Sequence, residues 1–210
     1  MLYNMEKGGD GMDRLLKTEK SLRKNGFDAD AFESADACVA ELLRKIPVDA
    51  TVAFGGSMTL KEMGLYELMK EKGYDVKWHW ADKEDNLLKK VQERKVYITS
   101  SNAITEDGKL VNMDGNANRV ASMLFGHEDV YVICGENKIV ENLDAAFERI
   151  RKVAGPMNAK RLHVNTPCVH TGVCSDCDSP DRICNAETIL HKKPGMTNVH
   201  IMILKGTFGY

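Results

Sequence analysis

Residues 51–62 read Thr51-Val52-Ala53-Phe54-Gly55-Gly56-Ser57-Met58-Thr59-Leu60-Lys61-Glu62. A short apolar run meets paired glycines, then a polar cap ahead of apolar residues at helical spacing. That is a buried strand, a tight turn and a helix. Thr59 and Glu62 match the Thr-x-x-Glu capping box, and Leu60, Met63, Leu68 and Met69 supply the apolar stripe.

The same alternation runs outward in both directions. Over 31–46, Phe32, Ala35, Cys38, Val39, Leu42, Leu43 and Ile46 recur at three- and four-residue steps. The spacing predicts a helix there, with Asp30 as its N-cap, Glu33 as the return partner and Pro47 as its stop. Downstream come strand-like Val76 to Trp80, helical Leu87 to Val91 and strand-like Val96 to Thr99. Val130 to Cys134 is the clearest strand, followed by a helix expected over Lys138 to Val153 and a last strand over His200 to Leu204. Strands alternating with helices predict an α/β fold with a mostly parallel sheet and helices on both faces. One domain over 1–210 is expected, with a flexible N-terminus over 1–12. A Cys-rich segment over 155–193 interrupts the rhythm as a loop insertion.

Composition narrows the function. Lys plus Arg number 29 against 31 Asp plus Glu, a formal charge of −2, and no basic run exceeds pairs such as Lys89-Lys90. Nucleic acid is therefore excluded as the expected partner. No stretch reaches the roughly 18 apolar residues of a membrane span. The start lacks an apolar h-region, so a cytoplasmic protein is expected. In a reducing compartment, clustered cysteines read first as metal or redox ligands.

Three stretches can carry chemistry. In the first, Gly55 and Gly56 let a backbone approach a ligand, the helix start offers amides to an anion, and Ser57 and Thr59 add hydroxyls. The plainer alternative is that the glycines only turn the chain and Thr59 only caps. In the second, Ser101, Asn102, Asp114, Asn116, Asn118 and Arg119 crowd the polar stretch after a strand, with a helix expected to start near Asn116. Arg119 is placed to offer a guanidinium fork to a carboxylate or phosphate. Glu106 to Lys109 reads as a hairpin turn. The third is Cys168-x5-Cys174-x2-Cys177-x6-Cys184. Four thiolates so close in sequence can hold a [4Fe-4S] cluster or a zinc ion, and spacing does not separate these. A reversible disulfide or plain pocket thiols are the alternatives. Cys38 and Cys134 read as core thiols, and His163, His170, His191 and His200 as ordinary histidines. Trp78 and Trp80 read as packing residues. No nucleotide cofactor is indicated.

GGSMTLKEMGL (55–65), SNAITEDGKLVNMDGNANRVASMLFG (101–126) and NTPCVHTGVCSDCDSPDRICN (165–185) together resemble the LUD-domain family of lactate-utilisation proteins, formerly a domain of unknown function. The resemblance covers about Asp13 to Leu204. It implies a Rossmann-like fold of the ribose-phosphate isomerase and CoA-transferase type. More distantly, GGSMT resembles the phosphate loop of ribose-5-phosphate isomerases, and the 101–121 stretch is similar to methylthioribose-1-phosphate isomerases. Those isomerases carry a catalytic aspartate where this chain has Asn102, and an amide cannot exchange a proton near neutral pH. Isomerase chemistry is therefore disfavoured.

The family's best-known members act in L-lactate oxidation beside iron–sulfur proteins, and the short ones lack this cysteine cluster. The resemblance thus implies a small anionic metabolite as ligand, a part in organic-acid redox metabolism, and an iron–sulfur or flavin redox partner; a homo-oligomer is compatible. Two other readings stand beside it. One is a non-catalytic ligand sensor or regulatory subunit. The other is an acyl or CoA transferase with Glu62 or Glu106 as nucleophile, Asp114 being the remaining candidate for a catalytic carboxylate.

Overall fold

The computed structural model describes residues 9–210. Helix α1 (Gly9–Lys24), strand β1 (Asp28–Phe32) and helix α2 (Ala35–Lys45) lead into β2 (Thr51–Phe54). Short helices α3 (Met58–Glu62) and α4 (Leu65–Glu71) follow, then β3 (Asp75–Trp78), α5 (Leu87–Gln92) and β4 (Val96–Thr99). Next come a hairpin of β5 (Ala103–Thr105) and β6 (Leu110–Asp114), α6 (Asn118–Leu124), β7 (Asp129–Gly135) and β8 (Ile139–Val140). Helices α7 (Leu143–Arg149), α8 (Gly155–Leu162) and α9 (Pro167–Thr171) precede β9 (Ala186–Leu190) and β10 (Asn198–Leu204).

Six strands make one sheet in the order β1-β10-β7-β4-β2-β3, every neighbouring pair parallel. Helices cover both faces, as the alternation predicts, and the sheet is Rossmann-like. Strand β7 shows why its sequence is so apolar. Val130, Val132 and Cys134 join Leu15 and Leu22 of α1 on one face. Tyr131 and Ile133 join Cys38 and Leu42 of α2 on the other. A strand buried on both sides has no position left for a polar residue. A second, four-stranded sheet has the order β8-β5-β6-β9, and α7 packs Ala146 against its Ala103 and Val111. No helix among the described residues is long and apolar enough to cross a membrane.

Several local expectations are corrected. Asp30 lies in β1, an edge strand paired with β10, and Ser34 caps α2 by accepting from the Ala37 amide at 3.2 Å. The helical spacing ran back into β1 because Phe32 and Ala35, three apart, satisfy either reading. Ser57, not Thr59, caps α3: its Oγ accepts from the Leu60 amide at 3.3 Å. Ile139 and Val140 pair with Ile104 and Thr105, so the helix starts only at Leu143, capped by Asn142 accepting from the Ala145 amide at 3.0 Å. That helix then passes through a π-helical stretch, Ile150–Ala154, into α8. There the Gly155 amide reaches back five residues to the Ile150 carbonyl, a wide turn at which Pro156 enters without breaking the helix.

Within 155–193, α8, α9 and β9 are regular, leaving the loop character to the chain between α9 and β9. Of the expected flexible start, residues 1–8 lie outside the described ones and 9–12 open α1.

Candidate functional site

The polar turns after β2, β4 and β7, three adjacent strands, open into one cavity of about 440 Å³. Carboxyl ends of parallel strands are where open α/β sheets hold ligands. Ser100, Ser101, Asn102 and Lys138 line its floor, and Gly56, Ser57, His79 and Trp80 one side. The α7–α8 helix contributes Arg151, Asn158 and Arg161 opposite, around the π-helical stretch. Cys168, Cys174, Cys177 and Cys184 line the same cavity. The three stretches singled out in the sequence therefore meet in one place.

Not every candidate residue reaches it. Gly55, Thr59, Glu62 and Glu106 are not among the lining residues. Gly55 is buried, and a Cβ there would come within 2.6 Å of Thr99 Oγ1 and 2.5 Å of the Tyr97 hydroxyl, so close packing explains it. Glu62 is exposed and accepts from the Gly209 amide at 2.6 Å. Glu106 is bound to α1 by Lys17 at 2.8 Å and Arg14 at 2.9 Å; the Lys17 hydrogen bond is the main cause holding its carboxyl below the usual range. Neither glutamate is placed as a nucleophile for a ligand in the cavity.

Gly56 does line the cavity, and a Cβ on it would lie 2.9 Å from the Trp80 ring. Trp80 is held there between Trp78, stacked at 5.2 Å, and the Arg161 guanidinium, 4.3 Å over its ring. Gly56→Ala is expected to push the indole off Trp78 and cost about 1–3 kcal/mol. A changed near-ultraviolet circular dichroism spectrum and a lower denaturation midpoint would register it.

The amide-rich loop is occupied mainly with itself. Arg119 is buried; one terminal nitrogen donates to the Ser100 carbonyl at 3.0 Å and Asn112 Oδ1 at 2.6 Å. Its other terminal nitrogen donates to Asn102 Oδ1 at 2.9 Å and the Met113 carbonyl at 3.0 Å. What Arg119 offers a ligand is charge, since its fork is already filled. Asp114 Oδ2 accepts from the Arg119 and Val120 amides at 3.1 and 3.2 Å, so the start of α6 carries the protein's own carboxylate. With α3 five and α6 seven residues long, the expected helix-start anion sites give way to side-chain charge. Asn102 also accepts from the Met113 amide at 2.9 Å, and Asn116 and Asn118 stand at the cavity edge.

That charge is positive on balance. Arg119, Lys138, Arg151, Arg161 and Arg182 line the cavity against Asp114, Asp176 and Glu187. Asp176 is taken by Arg182 at 2.7 Å, and Asp114 faces Arg119 at 3.9 Å. Lys138, Arg151, Arg161, Arg182 and His79 are among the lining residues that sequence reasoning missed. His79 is held below its ordinary pKa chiefly by burial, which disfavours the imidazolium form. Lys138 had one sequence signal, a single lysine between two apolar strands, but it stood where a solvated helix start was expected.

All six cysteines are free thiols, and the four clustered ones are half-buried. The Arg182 guanidinium sits among them, donating to the Cys177 carbonyl at 2.8 Å and the Cys184 carbonyl at 3.0 Å. Burial raises the Cys184 thiol, Arg182 opposes this, and the charges of Cys174, Cys177 and Cys168 add to the rise. The four groups thus feel one another. The Asp176 amide donates to Cys174 Sγ at 3.4 Å, and Asp176 takes a left-handed turn with φ of 50°. Even so, no three His, Cys, Asp or Glu side chains among the described residues are gathered as a metal-ion site. Four thiolates are a donor set that suits either a zinc ion or an iron–sulfur cluster.

A comparison with curated proteins gives no match. Among solved structures, the chain is similar to a DUF162 family protein from Deinococcus radiodurans, with a TM-score of 0.56 and 14% identity over 94% of this chain and 99% of that one. At that identity the likeness shows the fold. Residues 15–204 match the model of the LUD domain. That stretch holds the glycine turn, the amide loop, Lys138 and all four clustered cysteines, and the chain belongs to the LUD-domain family.

Proposed function

We propose that this protein binds a small anionic metabolite in the cavity after β2, β4 and β7 and serves organic-acid redox metabolism of the lactate-utilisation kind. The observation that carries this reading is the excess of cationic side chains in a cavity that also touches four thiols. Burying Lys138 and the Arg119 guanidinium without an anion is costly, and a carboxylate or phosphate would repay part of that cost. Cys168, Cys174, Cys177 and Cys184 would hold an iron–sulfur cluster, which passes single electrons to a redox partner. Around it, Arg182 balances thiolate charge and the Asp176 amide supports Cys174, contacts that tune such a group.

A ligand sensor is the second reading. Asn102 favours it, because its amide oxygen is engaged by two donors and has no proton to exchange.

Thermal unfolding with oxalate, phosphate and lactate, against neutral glycerol and acetamide, tests the ligand class. The anions are expected to raise the midpoint and the neutral compounds to leave it unchanged. Equal responses to both sets would end the anionic reading.

A further inference from the structure

Lys138 lines the cavity floor and is 4% exposed. Its Nζ donates to Thr59 Oγ1 at 2.8 Å and Ser100 Oγ at 3.0 Å, both uncharged. Lysines are seldom fully buried unless paired, and the charged groups nearest in effect include two further cations, Arg149 and Arg119. A lysine desolvated beside other cations is the arrangement that turns an ammonium into an amine nucleophile. Burial is the chief cause pulling its pKa down to about 8; Arg149 and Arg119 add to the fall, and Cys134 and the Glu62 carboxylate oppose it.

We propose that Lys138 condenses with the carbonyl group of a small 2-oxo acid to form an imine in this cavity. The proposal rests on the cavity being a carboxylate site, since Arg151 and Arg161 on the wall then balance the acid group. The Nζ lone pair attacks the carbonyl carbon, and the carbonyl oxygen takes a proton as the nitrogen gives one up. The resulting carbinolamine loses water while the nitrogen lone pair closes the C=N bond. Amine and ketone give imine and water, and no electrons are exchanged. The Ser100 and Thr59 hydroxyls stand where a proton must move. Ser100 Oγ also lies 3.3 Å from Cys134 Sγ, which extends the relay to a buried thiol and gives that otherwise unused group a task.

Reductive trapping of the full chain provides the test. Wild-type protein is incubated with pyruvate or glyoxylate and cyanoborohydride, and the adduct is mapped by peptide mass. A single adduct at Lys138 is expected, with a yield that rises as pH approaches about 8 and the neutral amine accumulates. Lys138→Arg and Lys138→Met should lower that yield at least about tenfold. Oxalate, which offers no ketone to condense, reports the carboxylate site separately through thermal unfolding. No adduct at Lys138, or label spread evenly over surface lysines, overturns the imine while stabilisation by oxalate leaves the anion site standing. Loss of both responses overturns both.

Discussion

Replacing Arg119 with alanine is expected to lower stability by about 3 kcal/mol or more, a fall in Tm of roughly 6–12 °C for a chain of this size. The guanidinium ties three elements of the site floor through four acceptors. It joins the turn after β4 through the Ser100 carbonyl and Asn102, strand β6 through Asn112 and the Met113 carbonyl, and its own helix α6. Alanine would leave Asn112 Oδ1 with one donor fewer in a residue that is fully buried and whose Nδ2 already lacks a partner. Asp114 would also lose its opposing charge. Arg119→Lys should recover only part of the loss, because one ammonium cannot span four acceptors at fixed positions. Calorimetric unfolding of both variants measures this. A loss below about 1 kcal/mol in Arg119→Ala would mean that the loop holds its shape without the guanidinium.

Serine in place of Cys174, Cys177 or Cys184 is expected to lower iron per chain at least about tenfold after anaerobic purification, with loss of the visible sulfur-to-iron absorbance. The fold should persist, because these residues lie in a half-exposed loop outside the three apolar cores. Cys38→Ala is the control. Cys38 is fully buried on α2, and burial is the main cause pushing its thiol up to about 12, so it is inert as a ligand. Its removal should cost packing energy and leave iron unchanged. Zinc in place of iron would show that the thiols draw together around one ion. Wild-type protein holding neither metal would remove the redox half of the proposal.

Much of the fold was legible because burial on both faces leaves a simple signature. Val130 to Cys134 reads as a strand from its apolar run, and the sheet order makes it an inner one. Strand β1 was illegible for the opposite reason. Its acids Asp28 and Asp30 are held by Lys45 at 2.8 and 3.4 Å, and His200 meets Asp28 at 2.7 Å, partners far along the chain that no local pattern announces. The site divides similarly. Its glycine, amide and cysteine stretches stand out by residue type, and the structure brings them to one cavity. Lys138 is made special by Thr59 and Ser100, 79 and 38 residues away, and the start of a helix was the locally sensible reading of Asn137 and Lys138. The filling of Arg119's fork and of the α6 start was equally invisible, since both depend on the return of β6 beside β4's loop.

Titration calorimetry of oxalate into the wild-type protein at a series of pH values tests the anion site most directly. The expected result is one site per chain whose affinity falls as pH rises through about 8. Lys138 is charged below that value and favours the anion, and it loses the charge above it. No binding heat at any pH, or equal affinity for the neutral diamide oxamide, would contradict a cationic cavity built to hold a small carboxylate.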